Sequence, residues 1–186
     1  YSITRTWTAT DACGNAQTCV QTINVQDVTK PVITCPADIT INCQDSKLPA
    51  NTGSATATDN CSNVTITHTD VSTQNADNTP GTCDDYTYTI TRTWKATDDC
   101  GNMSTCLQVI TVDDSTPPVI TCPINVTIEC TASTLPANTG TATATDNCTN
   151  VVTNITFNDT RTNGSCNDNY SLARLWTAVD SCGNSN

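Results

Sequence analysis

Apolar and polar side chains alternate strictly over much of this chain, and no segment carries an apolar stripe at helical spacing. Between Tyr86 and Thr97, the residues Tyr88, Ile90, Arg92, Trp94 and Ala96 fall on one side. Thr87, Thr89, Thr91, Thr93, Lys95 and Thr97 fall on the other. A period of two is that of a half-buried strand. Ile39, Ile41 and Cys43 share a face in the same way, as do Val126, Ile128 and Cys130, while Val64, Ile66 and His68 oppose Thr65, Thr67 and Thr69. The turn Asp99-Cys100-Gly101-Asn102 ends the long strand, and a further strand runs on to Val112. Gly-Asn supplies the positive φ that a tight hairpin needs, and it stands again at Gly14-Asn15 and Gly183-Asn184.

The pattern repeats with a period of 87 residues. Ile33-Thr34-Cys35-Pro36 returns as Ile120-Thr121-Cys122-Pro123, and Thr56-Ala57-Thr58-Asp59-Asn60-Cys61 returns from Thr143 to Cys148. Trp7 and Trp94 are the same distance apart, whereas Trp176 follows Trp94 by 82 residues, so one loop is shorter in the last copy. The phase predicts three parts: residues 1–28 as the C-terminal hairpin of a preceding repeat, 29–115 as a complete repeat, and 116–186 as a repeat lacking its last strand. That phase reads as a segment of a longer polypeptide. A lone hairpin is marginal in water, so residues 1–28 need completion by other residues or by another chain.

About seven short strands in 87 residues, separated by turn signals, predict an all-β architecture of tandem immunoglobulin-like β-sandwich repeats. The antibody hallmarks are absent, because the Trp lies on the penultimate strand and the Cys spacing differs. Short junctions that contain Pro, at Val25–Val32 and Val112–Val119, lose backbone donors and have φ fixed there, which predicts a semi-rigid rod. Arg92, on the face of Trp94, is expected to lie along the indole with its guanidinium at the rim.

Large apolar side chains are few: one Phe, four Tyr and three Trp in 186 residues. The core of each repeat is therefore thin and needs another source of stability. The 13 cysteines supply it, with six in the complete repeat: Cys35, Cys43, Cys61, Cys83, Cys100 and Cys106. An even, recurring set predicts disulfides made in an oxidising compartment, that is, outside the cell. Zinc sites favour C-x2-C pairs and histidine, whereas here the spacings are wider and His68 is the only His. In a sandwich, Cys43 and Cys83 share one pole, which predicts Cys43–Cys83. Cys35, Cys61, Cys100 and Cys106 share the other. Cys35–Cys106 with Cys61–Cys100 is the first choice there, and Cys100–Cys106 with Cys35–Cys61 remains open. The same logic gives Cys130–Cys166 and Cys148–Cys182 in the last copy. Cys13 and Cys19 would pair with each other or with missing parts of the preceding repeat.

The net charge is −11, from 18 acidic and 7 basic residues. That balance excludes a nucleic-acid footprint and an anionic membrane surface as partners. No apolar run is long enough to insert into a bilayer. No nucleophile–base set, metalloprotease motif or phosphate-cradling loop is present, so no enzyme activity and no certain cofactor is expected. Calcium is the exception worth naming. Asp59, Asp98 and Asp99 would gather at one pole and Asp113 and Asp114 stand at a junction, and such hard oxygen ligands suit that ion. The bland alternative is that these side chains bond their own turns. Glycosylation acceptor patterns occur at Asn63, Asn125 and Asn154, and Asp114-Ser115-Thr116 offers Ser115 for O-glycosylation.

The run YTYTITRTWKATDDCGNMSTCLQVITVDDSTPPVITCP, from Tyr86 to Pro123, resembles the HYR-like immunoglobulin-fold repeats of very large bacterial surface proteins, among them SprB-like gliding adhesins. Thr-Ala-Thr-Asp-Asn-Cys, Arg-x-Trp and the Cys-Gly-Asn turn carry the resemblance, which spans the whole chain. Ala173 and Leu175 depart from it, where Thr stands in the other copies. The resemblance implies export to the cell surface and a stalk or fibre role in attachment or gliding motility. The partners would be neighbouring repeats and other copies in a fibre. Two other readings remain: weak glycan-binding modules acting by avidity on surface glycans, and spacer repeats of a large secreted enzyme.

Overall fold

A computed structural model describes residues 1–74, 81–148, 154–165 and 168–186. The architecture is all-β. Strands β1 (Ser2–Thr10) and β2 (Ala16–Asn24) form a hairpin in which Trp7 faces Cys19. Strands β3 (Val32–Thr34), β4 (Ile39–Asn42), β5 (Thr56–Thr58), β6 (Val64–Ser72), β7 (Tyr88–Asp98) and β8 (Met103–Asp113) follow, with the single turn α1 (Pro49–Thr52) between β4 and β5. β3 pairs with β5, and a four-stranded sheet has the order β4-β8-β7-β6. The last stretch holds β9 (Val119–Thr121), the turn α2 (Pro136–Thr139), β10 (Thr143–Thr145), β11 (Asn154–Asn163) and β12 (Tyr170–Val179), pairing as β9 with β10 and β11 with β12.

By Cα proximity the chain forms two compact units. The first comprises Tyr1–Cys35, Ala55–His68 and Trp94–Cys106, and the second Pro36–Ser54, Thr69–Thr93 and Leu107–Asn186.

In the first unit, β1 and β2 are exposed along almost their whole length, Trp7 included. A two-stranded ribbon has two faces and too little side chain to cover either. Trp94, by contrast, is buried, with the His68 ring 5.0 Å away. Ser104 Oγ donates to Pro31 O at 2.6 Å, which fixes the start of β3 against β8.

In the second unit, the core consists of Ile41, Ile90, Ile110 and Val112, with Ile39, Cys43 and Tyr88 packed against it. β4 runs parallel to β8, in the register Ile39↔Ile110 to Asn42↔Asp113. That register puts apolar residues of both strands on the same face, as the period of two requires. The alternation along β7 is regular, with Ile90, Arg92, Trp94, Ala96 and Asp98 buried and the intervening threonines and lysine half-buried. β8 holds one surprise. Leu107 and Val109 face outward, and Gln108 is fully buried. Its Nε2 donates to Thr52 O at 2.6 Å and Ala37 O at 3.0 Å, so the amide satisfies carbonyls that no strand partner reaches.

The Arg92 guanidinium does not reach a solvent rim. It is 1% exposed and lies in a closed polar network. Nε and Nη2 grip both Asp70 oxygens at 2.8 Å, Nη1 donates to Thr52 Oγ1 at 2.8 Å, and Nη2 also donates to Lys47 O at 2.7 Å. The last copy repeats the arrangement: Arg174 grips Asp159 at 2.7 and 2.8 Å and donates to Thr139 Oγ1 and Thr134 O. A planar fork meets a carboxylate in two bonds at once, which a lysine cannot do.

Candidate functional site

The second unit contains two disulfides that join one sequence copy to the next. Cys43, just past the end of β4, is bonded to Cys148, with Cα atoms 5.7 Å apart. Cys83, in the 3-10 turn Cys83–Asp85, is bonded to Cys182, with Cα atoms 4.7 Å apart. Polar contacts flank both bonds. Asn147 Nδ2 donates to Asn42 Oδ1 at 3.2 Å, Asn42 Nδ2 donates to Thr116 Oγ1 at 3.3 Å, and Gln44 Nε2 donates to Asn147 O. Thr87 Oγ1 reaches Asp113 Oδ1 at 3.5 Å.

These bonds correct three expected pairings. Cys43–Cys83, Cys61–Cys100 and Cys148–Cys182 do not form; Cys43 and Cys83 are bonded to Cys148 and Cys182 instead, and Cys61 and Cys100 are free thiols. The physical reason is proximity. β4 and the turn at Cys83 end beside the loops that carry Cys148 and Cys182, which brings those Cα atoms to bonding separation. Cys35 is bonded to Cys106 in the first unit, with Cα atoms 5.9 Å apart, and this bond lies within one copy. Cys13, Cys19, Cys122 and Cys130 are free thiols too. Cys166 lies outside the described residues, and with it the pairing Cys130–Cys166.

Each unit also gathers three carboxylates. In the second unit, one oxygen each from Asp114, Asp146 and Asp180 lie within 4.8 Å of one another. In the first unit, Asp27, Asp59 and Asp98 do the same. The two triads are copies: Asp27 and Asp114 stand 87 apart, Asp59 and Asp146 also 87, and Asp98 and Asp180 stand 82 apart.

Local turns aim these side chains. In Asp180-Ser181-Cys182-Gly183-Asn184, Asp180 Oδ1 accepts from the backbone N–H of Cys182 and of Asn184, both at 2.8 Å, and Oδ2 accepts from Asn184 Nδ2 at 2.8 Å. Asn184 Nδ2 also donates to Asp114 O at 2.9 Å, which ties the hairpin to the junction segment. Asp98 and Asn102 repeat these bonds, with Asn102 Nδ2 donating to Asp27 O at 3.2 Å. Asp59 Oδ1 and Asp146 Oδ1 each accept a turn N–H, from Cys61 and from Cys148. Asp114 Oδ1 accepts from Thr116 N at 3.3 Å, but its Oδ2 is buried without a hydrogen-bond partner, and Asp59 Oδ2 is in the same state.

The electrostatics differ within the triads. Burial pushes the Asp114 carboxyl up from its ordinary value, and the nearby Asp146, Asp180 and Asp113 charges add to it. Burial also raises Asp98, but the bonds from Asn102, Cys100 and Gly101 outweigh it and hold that carboxyl below the usual range.

Of the five acids picked out in the sequence, Asp59, Asp98 and Asp114 therefore fall in these triads, divided between the two. Asp99 is exposed beside the hairpin turn, and Asp113 lies outside both triads. Asp27, Asp146 and Asp180 complete the triads and are not among those five. The signal was available, since each stands at a copy of a chosen residue. Ser115, Asn63, Asn125 and Asn154 are all exposed.

A groove of about 720 Å³ runs between residues 122–130 and β12, lined by Ile124, Val126, Ile128, Arg174 and Trp176. In the preceding copy, β8 fills the equivalent space and supplies Ile110 and Val112.

No protein-family model matches the chain, and no curated protein matches it. Three disulfides fit an oxidising, extracellular setting. Among the described residues, no helix is long and apolar enough to cross a membrane.

Proposed function

We propose that this chain is a structural segment of the stalk or fibre of a bacterial extracellular or cell-surface adhesin, built from immunoglobulin-like sandwich repeats in series. The observation that carries the reading is the pair of bonds Cys43–Cys148 and Cys83–Cys182. A module that acts alone has no use for covalent bonds to the next copy. A shaft under tension does, because such a bond carries load past the hydrogen-bonded strands. In the chain-entropy picture a crosslink closing a loop of ~100 residues is worth about 5 kcal/mol, a large contribution for a thin core.

The free thiols support repetition in series. Cys61 stands at the position of Cys148, Cys100 at that of Cys182, and Cys130 at that of Cys43. Each would find its partner in an adjoining copy. The two acidic triads resemble each other, as do the buried Arg92 network and the half-buried Arg174 network, so these features set neither copy apart.

Electron microscopy of the native parent material tests the role. Thin filaments with a regular axial repeat, which shorten or fragment after reduction, are the expected result. Discrete particles with no fibrous component would sink it.

A further inference from the structure

We propose that Asp114, Asp146 and Asp180 form a calcium site, and that Asp27, Asp59 and Asp98 form its copy. The three ligand oxygens in each triad lie within 4.8 Å of one another. Two oxygens on opposite sides of an ion held at about 2.4 Å are separated by the same span. All the donors are hard carboxylate oxygens, the kind that calcium takes. The nearby sulfurs of Cys43 and Cys148 are spent in a disulfide and offer no thiolate.

An acidic cluster alone would not carry this. The second observation is Asp114 itself. The residue is 4% exposed, and its Oδ2 is buried with no hydrogen-bond partner. A buried carboxylate with an unpaired oxygen, lying beside two further carboxylates, is costly unless a cation compensates it. Asp114 and Asp146 each accept a backbone N–H on Oδ1, and Asp180 accepts on both oxygens, so the turn bonds fix the carboxylates where they stand.

The site differs from the cation set read from the sequence. Asp99 and Asp113 take no part, and each triad draws on three separated segments: a junction, the Asp-Asn-Cys loop and the Cys-Gly-Asn hairpin. An ion there would tie the three together. The inference does not depend on the shaft role, since calcium binding would stand even if the parent formed no fibre.

The test is isothermal titration of the 186-residue chain, disulfides intact, with calcium chloride, beside the variants Asp146→Asn and Asp113→Asn. Circular dichroism checks that each variant is folded. The expected result is saturable binding below millimolar calcium, the loss of one ion per chain in Asp146→Asn, and full binding in Asp113→Asn. Melting should shift upward with calcium and fall back with chelator, and the shift should shrink in Asp146→Asn. Absence of binding at millimolar calcium, or unchanged stoichiometry in Asp146→Asn, would overturn the proposal.

Discussion

Arg92 and Arg174 show how a chain with few aromatics orders its interior. Each guanidinium is spent on one carboxylate, one threonine hydroxyl and one backbone carbonyl. Removing one partner of such a buried set leaves the others unpaired, which costs more than the pair contributes. Arg92→Met should therefore destabilise by about 2–3 kcal/mol, discounted because the Asp70 side chain is a third exposed. Urea unfolding checks this as a lower midpoint at unchanged slope. The Arg174 pair adds a pH dependence. The hydrogen bond and charge of Arg174 outweigh burial and hold Asp159 below the usual carboxylate range. A depressed folded value stabilises above the unfolded one and is lost as pH falls through the folded value. The melting-temperature gap between the native chain and Asp159→Asn should be full at neutrality and close in acid, below about pH 4. A gap that persists in strong acid would remove the ion pair as its cause.

At the scale of elements, most strands were legible because their signal is local, but Val126, Ile128 and Cys130 correct that reading: they alternate like Ile39, Ile41 and Cys43 yet form no strand, since no strand pairs with them as β8 pairs with β4. The alternation along β7 needs only the period of the pleat, and the structure keeps it from Ile90 to Asp98. Gln108 was not legible: its burial follows from carbonyls at Ala37 and Thr52 that no neighbour in sequence reveals. The carboxylate triads were half legible, since turn chemistry marks Asp59 and Asp98, but their company depends on which copy lies alongside. Glycine separates local from tertiary demands. Gly53 has φ +93°, and a Cβ there would lie 2.8 Å from the rigid Pro36 ring. Gly101 has φ +89° with open space around it. Gly101→Ala should cost about 1 kcal/mol, the conformational term alone, and Gly53→Ala at least about twice that. Equal losses in thermal melts would contradict the packing described at Pro36.

At the scale of the whole molecule, the cysteines decide the account. An even six per copy suggested bonds closed within each copy. Parity permits another solution: every copy can give two thiols to the next and receive two from the last, with one bond kept inside. Cys35–Cys106, Cys43–Cys148 and Cys83–Cys182 follow that rule. Sequence reading could not choose between the solutions, because the choice depends on where one copy's loops end in space. The direct measurement is mass spectrometry of peptides from the unreduced protein, with free thiols blocked before digestion. The account predicts one crosslinked peptide pair containing Cys43 and Cys148 and another containing Cys83 and Cys182. Recovery of Cys43 bonded to Cys83, and of Cys148 bonded to Cys182, would contradict it.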